Sequence, residues 1–263
     1  MTQTDKMLSR KEGGVGIMTF NNPERHNAVS LDMWEAAQGI LADFAADKSV
    51  RVVVVTGAGG KAFVSGADIS KFESERSSKE AIDRYNVVVD KANTAVYEFP
   101  KPTIAMIRGY CIGGGVGLAL CCDLRICSDN SKFGVPAAKL GLGYGFKGIK
   151  KLVDVVGPSF AKEIFFTARQ FTAAEALTMG LVNRVLPEAE LEKYVTDYAA
   201  TISGNAPLTV NGVKYIVGEA VKDAGERNLK KCADLVADCF ASSDYKEGRT
   251  AFMEKRKPAF TGT

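Results

Sequence analysis

The stretch PTIAMIRGYCIGGGVGLALCC, residues 102–122, places a strand, a glycine-rich turn and an apolar segment in direct succession. Residues 102–108 are short, apolar and rich in β-branched side chains, which predicts a buried strand. Residues 118–122 continue as a buried helix would. A glycine at the start of a helix leaves a main-chain N–H uncovered, so this turn could bind an anionic oxygen. The same glycines could simply allow close packing of helix and sheet, and both interpretations stay open here.

Outward from this stretch, strand-like and helix-like segments alternate. Residues 15–20 (VGIMTF), 51–56 (RVVVVT) and 123–128 (DLRICS) have the composition of buried strands. Residues 31–45 repeat apolar side chains at helical spacing behind Ser30, a plausible N-cap. This order predicts βαβ units, a mostly parallel sheet and an α/β fold.

Two capping boxes mark further helices. The pattern beginning at Ser77 predicts a helix to about residue 99, which Pro100 would end. A second box joins Thr172 to Glu175. Apart from one short strand at 182–186, the pattern after about residue 148 is helical. We therefore divide the chain into a core, residues 1–195, and a C-terminal helical module, residues 196–263.

Composition narrows the function classes. The chain has 263 residues, of which 46% are hydrophobic and 25% charged, with a formal net charge of +3. These values exclude a disordered chain and argue against a nucleic-acid binder. The six cysteines form no CxxC pair and His26 is the single histidine, so no metal site is expected. No apolar run resembles a signal peptide or a membrane span, which predicts a cytoplasmic protein without a membrane partner.

Two other glycine-containing stretches follow predicted strands. GAGGKA, residues 57–62, fits the dinucleotide fingerprint GxGxxA, but no amphipathic helix opens behind it. Ser65-Gly66-Ala67-Asp68 could expose a main-chain N–H among small side chains. If this turn faced the glycines at 113–115, the two N–H groups would form an oxyanion hole.

Together, these motifs resemble the crotonase superfamily, which is the enoyl-CoA hydratase/isomerase family. The resemblance is carried by residues 22–28 (NPERHNA), 65–69 (SGADI), 109–115 (GYCIGGG), 171–183 and 247–258. It implies a crotonase-like spiral of ββα repeats with a C-terminal helical module, assembled as a homotrimer or a dimer of trimers. It also implies an acyl-CoA thioester as substrate and no separate cofactor, because coenzyme A enters with the substrate.

By the same resemblance, the thioester enolate would be held by the N–H groups of Ala67 and Gly114. The positions implied for binding coenzyme A or the acyl group are Arg25, Ala28, Ser65, Asp68, Ile69, Gly113, Gly117, Pro136, Ala137 and Lys257. Plain solvated charge explains Lys257 equally well. A helix-capping role for Asp68 and a structural role for His26 are the simpler alternatives to catalysis.

The chain departs from the family's hydratases at two positions. Those enzymes carry glutamates where this chain has Gly117 and Ala137, and water addition needs both an acid and a base. Tyr144 stands where family decarboxylases such as methylmalonyl-CoA decarboxylase have a tyrosine, although those enzymes have a histidine at the position of Ala67. Loss of CO₂ would give the enolate without a base and would leave only a proton donor to find, either Tyr144 or water. Tyr144 could instead only pack beneath coenzyme A, and the chain could be a non-catalytic acyl-CoA-binding or assembly protein.

Overall fold

A computed structural model describes residues 4–68, 71 and 77–263 of the chain. The strands are β1 (Met7–Glu12), β2 (Val15–Phe20), β3 (Val52–Gly57), β4 (Ala62–Val64), β5 (Thr103–Ile107), β6 (Tyr110–Ile112), β7 (Leu124–Ser128), β8 (Lys132–Gly134), β9 (Phe171–Thr172) and β10 (Arg184–Leu186). The helices are α1 (Leu31–Ala46), α2 (Lys79–Tyr97), α3 (Gly114–Cys121), α4 (Phe146–Thr167), α5 (Ala173–Thr178), α6 (Glu188–Ser203), α7 (Pro207–Ala220), α8 (Leu229–Ala241) and α9 (Ser243–Glu254). Gly157, with φ +74°, interrupts α4 with a kink.

The strands form two sheets, and the chain passes from one to the other in a repeated strand-strand-helix pattern. The larger sheet has the order β1-β2-β3-β5-β7-β10 and the smaller one the order β4-β6-β8-β9. This pattern occurs three times in succession, as β3-β4-α2, β5-β6-α3 and β7-β8-α4. In each of these turns the first strand belongs to the larger sheet, the second strand belongs to the smaller sheet, and a helix follows. Pairing between these turns is parallel throughout. The predicted α/β class and the spiral of ββα repeats are confirmed.

The run of valines in β3 is buried on both faces of the larger sheet. Val53 and Val55 belong to the main core, which also takes in α1, α2 and α3. Val52 and Val54 belong to a second cluster beneath α6. A strand covered on both sides reads as a continuous apolar run because alternate side chains enter different cores.

The helix starts differ in detail from the prediction. Ser78, and not Ser77, is the N-cap of α2, and its hydroxyl accepts the N–H of Ala81 at 3.2 Å. Ser30 is the N-cap residue of α1, but its hydroxyl donates to the carboxylate of Asp32 and bonds no backbone N–H. Both helices nevertheless begin within two residues of the predicted position.

The capping box of α5 is present as predicted. The Thr172 hydroxyl accepts the N–H of Glu175 at 3.2 Å, and the Glu175 carboxylate accepts the N–H of Thr172 at 2.7 Å. Arg169 donates to the same carboxylate at 2.8 Å. The Thr172 hydroxyl also donates to it at 2.9 Å. The Thr172 N–H, as the largest cause, Arg169 and the Thr172 hydroxyl together lower the pKa of Glu175 to about 2.

The C-terminal helices contribute little to either core. The predicted division at 195/196 falls inside α6, whose Leu191, Val195 and Ala199 pack on the outer face of the larger sheet. α8 has no buried residue. None of the described helices is long and apolar enough to cross a bilayer. The division into two domains stays a prediction.

Candidate functional site

The turn at residues 65–68 lies against the N-terminal end of α3. β4 leads into this turn, and its parallel neighbour β6 leads into Gly113 and Gly114. A Cβ built on Gly66 would lie 3.7 Å from the nitrogen of Gly114, and one built on Gly114 would lie 3.7 Å from the Cα of Gly66. The two glycine-containing segments are therefore in van der Waals contact.

Each of these segments has a main-chain donor with no partner. Val29 donates to the carbonyl of Gly66 at 2.8 Å and accepts the N–H of Asp68 at 3.0 Å. Because both bonds go to the neighbours of Ala67, the N–H of Ala67 points away from Val29. In the part of the chain that the structure describes, no acceptor is bonded to the N–H of Ala67 or of Gly114. Ala67 and Gly114 are both part-exposed residues on adjacent segments. Two such donors form an oxyanion hole when they converge on one oxygen.

The glycines of α3 serve different purposes. A Cβ on Gly115 would come within 2.0 Å of the carbonyl oxygen of Val64, so this glycine lets the helix touch β4. Gly113 has φ +56°, a left-handed conformation that glycine adopts without strain. A Cβ on Gly113 or Gly117 would meet no described atom within 4 Å. Close packing and an open helix start are thus both present, at different glycines.

A buried asparagine shapes the loop that faces the turn. The Asn27 side chain accepts the N–H of Asn22 at 2.9 Å and donates to the carbonyls of Ala58 and Ala62 at 2.9 and 2.7 Å. His26 and Asn27 both have left-handed backbone conformations, with φ of 52° and 55°. The sequence analysis missed Asn27, although asparagine is one of the few residues that tolerate positive φ.

This loop brings four of the predicted coenzyme A-binding residues together. Ser65 donates its N–H to the carbonyl of His26 at 3.1 Å and its hydroxyl to the carbonyl of Arg25 at 3.3 Å. Ala28 and Asp68 are buried beside them, on either side of the Val29 bridge. The Arg25 side chain is exposed and forms no ion pair with the described residues.

The two positions that lack glutamates lie in α3 and in the turn that follows β8. Gly113 donates its N–H to the carbonyl of Gly134 at 2.8 Å, which ties α3 to the end of β8. Pro136 and Ala137 follow in a 3₁₀ turn, and Ala137 is buried. Gly117 lies one turn along α3. Neither position carries a group that could move a proton.

Tyr144 lies in the exposed connection between that 3₁₀ turn and α4. Its ring packs edge-on against Phe165 at 4.9 Å between centroids, and it also lies beside Gly148. The apolar contact raises the pKa of Tyr144 by removing water from the phenol. No described residue forms a hydrogen bond with its hydroxyl. At neutral pH the phenol of Tyr144 is therefore protonated, with no partner among the described residues.

No hydrogen bond or ring contact between described residues joins Tyr144 or Lys257 to this group. Ile69 lies outside the described residues, as do residues 70 and 72–76. Lys257 is exposed in the segment after α9. That segment returns to the N-terminal end of β3, where Arg51 donates to the carbonyl of Phe260 at 2.6 Å. The Ser65 turn lies beyond the opposite end of β3, so Lys257 is separated from it within one chain.

Comparison with known proteins agrees with this architecture. The family model for enoyl-CoA hydratase/isomerase matches residues 10–263. A short-chain-enoyl-CoA hydratase of Clostridium acetobutylicum is 34% identical over 97% of both chains. A crotonyl-CoA hydratase of Syntrophomonas wolfei is 36% identical over 97% of this chain and 98% of its own length. The crystal structure of an enoyl-CoA hydratase/carnithine racemase from Magnetospirillum magneticum superposes with a TM-score of 0.94 at 35% identity, covering 99% of this chain and 97% of the other. The chain therefore belongs to the enoyl-CoA hydratase/isomerase family.

Proposed function

We propose that this protein binds an acyl-CoA thioester and stabilises its enolate between the N–H groups of Ala67 and Gly114. The contact between Gly66 and the start of α3 is the observation that carries this proposal. Each donor of an oxyanion hole typically contributes a factor of about 10²–10³ to the rate. The partial positive charge at the N-terminus of α3 adds to the attraction for the developing anion.

Among enolate reactions, decarboxylation fits the side chains best. The bond between the α-carbon and the carboxylate breaks, CO₂ leaves, and the electron pair passes into the thioester carbonyl as a bound oxyanion. No base is needed for this step, which agrees with Gly117 and Ala137. A proton must then reach the α-carbon, and the phenol of Tyr144, which burial keeps in its protonated form, is the proposed donor.

Two of the relatives named above are hydratases, so hydration is the alternative reaction against which decarboxylation should be tested. We would assay the purified protein with methylmalonyl-CoA for release of CO₂ and with crotonyl-CoA for addition of water. The proposal expects the first reaction and only a trace of the second. Efficient hydration of crotonyl-CoA would contradict it, because neither glutamate position carries an acid or a base.

A non-catalytic acyl-CoA-binding or assembly protein is the second candidate, favoured by the same two missing carboxylates. Exchange of the α-protons of a saturated acyl-CoA in deuterated water distinguishes the two. Exchange requires an enolate, so its occurrence would exclude this second candidate. Tight binding without exchange or turnover across a panel of acyl-CoA thioesters would support it.

We also propose a homotrimer, or a dimer of trimers, located in the cytoplasm. The C-terminal helices support the assembly, since their apolar side chains are unusually exposed. α7, α8 and α9 surround a mostly apolar cavity of about 610 Å³. An apolar surface of this kind is typical of a subunit interface.

A further inference from the structure

Arg125 is a buried cation that has no role in the reaction proposed above. It is the second residue of β7, where it pairs with Ala105 of β5, and it is 7% exposed. Its guanidinium donates to the carbonyl of Cys122 at 2.7 Å, to that of Leu181 at 2.8 Å and, more weakly, to that of Ala119 at 3.5 Å. Its bonds are thus to main-chain carbonyls.

Among the described residues, no carboxylate is paired directly with this charge. Arg125 forms no ion pair with any described residue, and the carboxylate of nearby Asp123 is bound by Thr103 and Lys214. The surrounding thiols are neutral, because burial raises the pKa of Cys122 and that of its neighbours. Burial lowers the pKa of Arg125, but arginine remains charged in proteins.

The position of this charge relates it to the proposed site. Ala119 and Cys122 lie at the C-terminal end of α3, and the N–H of Gly114 lies at its N-terminal end. A helix of this length is about 12 Å long. The guanidinium therefore stands roughly one helix length from the oxyanion, with protein and not solvent between them.

We propose that Arg125 is a positioning residue for the oxyanion hole, acting through α3 without touching the substrate. Its positive charge at the C-terminal end of α3 fixes the helix and lowers the energy of the enolate at the other end. With an effective dielectric constant of about 20, a unit charge at this distance changes the enolate equilibrium by about five- to tenfold. This inference rests on the proposed function, since it requires the oxyanion to lie at Gly114.

Four variants separate the charge from the packing. Arg125→Met and Cys122→Asp each lower the net charge at this end of α3 by one unit, the first by removing the cation and the second by adding a carboxylate. Arg125→Lys keeps the charge while losing hydrogen bonds. Asn183→Ala removes the Oδ1 atom that accepts the main-chain N–H of Arg125 at 2.8 Å, without touching the guanidinium.

Three measurements are made on each variant: kcat and KM for decarboxylation, the melting temperature, and the infrared stretch of a bound saturated acyl-CoA labelled with ¹³C at the thioester carbonyl. We expect Arg125→Met and Cys122→Asp to lose part of the carbonyl's shift to lower frequency. In both, kcat should fall about five- to tenfold while KM stays within about twofold. Arg125→Lys and Asn183→Ala should keep the shift and kcat even where the melting temperature drops.

The inference would be overturned if, across all four variants, the carbonyl shift and kcat fell in proportion to the drop in melting temperature. Packing alone would then explain the loss of activity. If Arg125→Met does not fold, Cys122→Asp gives the same comparison. A wild-type protein that leaves the bound carbonyl unshifted would instead contradict the proposed oxyanion hole itself. The two failures are therefore distinguishable.

Discussion

In Tyr144 the packing of the ring and the proposed chemistry of the hydroxyl involve different atoms of one side chain. Its ring contacts Phe165, whereas its hydroxyl is bonded to no described residue. The ring contact would survive loss of the hydroxyl. The two roles can therefore be separated by a change of one atom.

We expect Tyr144→Phe to lower decarboxylation by about 10²-fold and to leave the melting temperature unchanged, because only the proton donor is lost. Steady-state kinetics and thermal unfolding measure the two effects. Phe165→Leu is the matched control, since it removes the ring contact and keeps the phenol. If Tyr144→Phe retains full activity, water is the proton donor and Tyr144 only packs.

Glu175 gives a prediction about pH. Its pKa in the folded chain is about 2, below the usual value of 4.5, so the ionised carboxylate stabilises the fold. This stabilisation is complete above about pH 4.5 and is lost as the pH falls through about 2. The melting-temperature difference between wild type and Glu175→Gln should be constant from pH 5 to 8 and shrink from pH 4.5 towards 2. A difference that did not change with pH would show that the charge contributes nothing.

Some site residues could be predicted from sequence and others could not. Small residues after a strand indicate bare main-chain donors near Ser65 and near Gly113, and the family resemblance then singles out Ala67 and Gly114. Asn27 was missed because its importance lies in bonds to Ala58 and Ala62, more than 30 positions away. Distances of that kind leave no local pattern.

The same limit holds for whole elements. β2 and β5 were predicted closely because five or six buried or part-buried residues form a recognisable apolar run. β6 and β8 were missed, and β4 was expected only as a strand before Ser65 with no bounds, because each has three residues, too few to show a period. β1 was missed because an exposed edge strand carries charges such as Arg10 and Glu12.

Helix α3 contains a matched pair of glycines for testing its placement. Gly115→Ala would push a methyl group into the carbonyl of Val64, so we expect a loss of more than about 2 kcal/mol in the free energy of unfolding. Gly117→Ala enters open space and should raise stability by up to about 1 kcal/mol through helix propensity. Denaturant unfolding measures both. Equal effects would mean that α3 does not pack against β4 as described.

At the scale of the whole molecule, the C-terminal helices of a single chain leave large apolar side chains exposed to solvent. Phe252 is 82% exposed and Phe240 62% exposed, and both line the apolar cavity between α7, α8 and α9. Exposure on this scale is unusual for a monomer. An interface with further copies of the chain would remove it.

We expect Phe252→Asp to convert the assembly to monomers, because a buried and unpaired carboxylate is strongly unfavourable at an apolar interface. Light scattering coupled to size-exclusion chromatography measures the mass. Leu8→Asp, on the exposed edge strand β1, is the control and should keep the native mass. A wild-type protein that already runs as a monomer would exclude the proposed trimer.

The donors proposed for the oxyanion are atoms that every residue except proline possesses. Alanine scanning, the commonest search for essential residues, would overlook both, since one of them already belongs to an alanine. Only exchange of the amide for an ester, or introduction of proline, would reveal them. For the same reason, the surrounding side chains are free to diverge, and one scaffold can acquire new reactions without rebuilding its anion-binding centre.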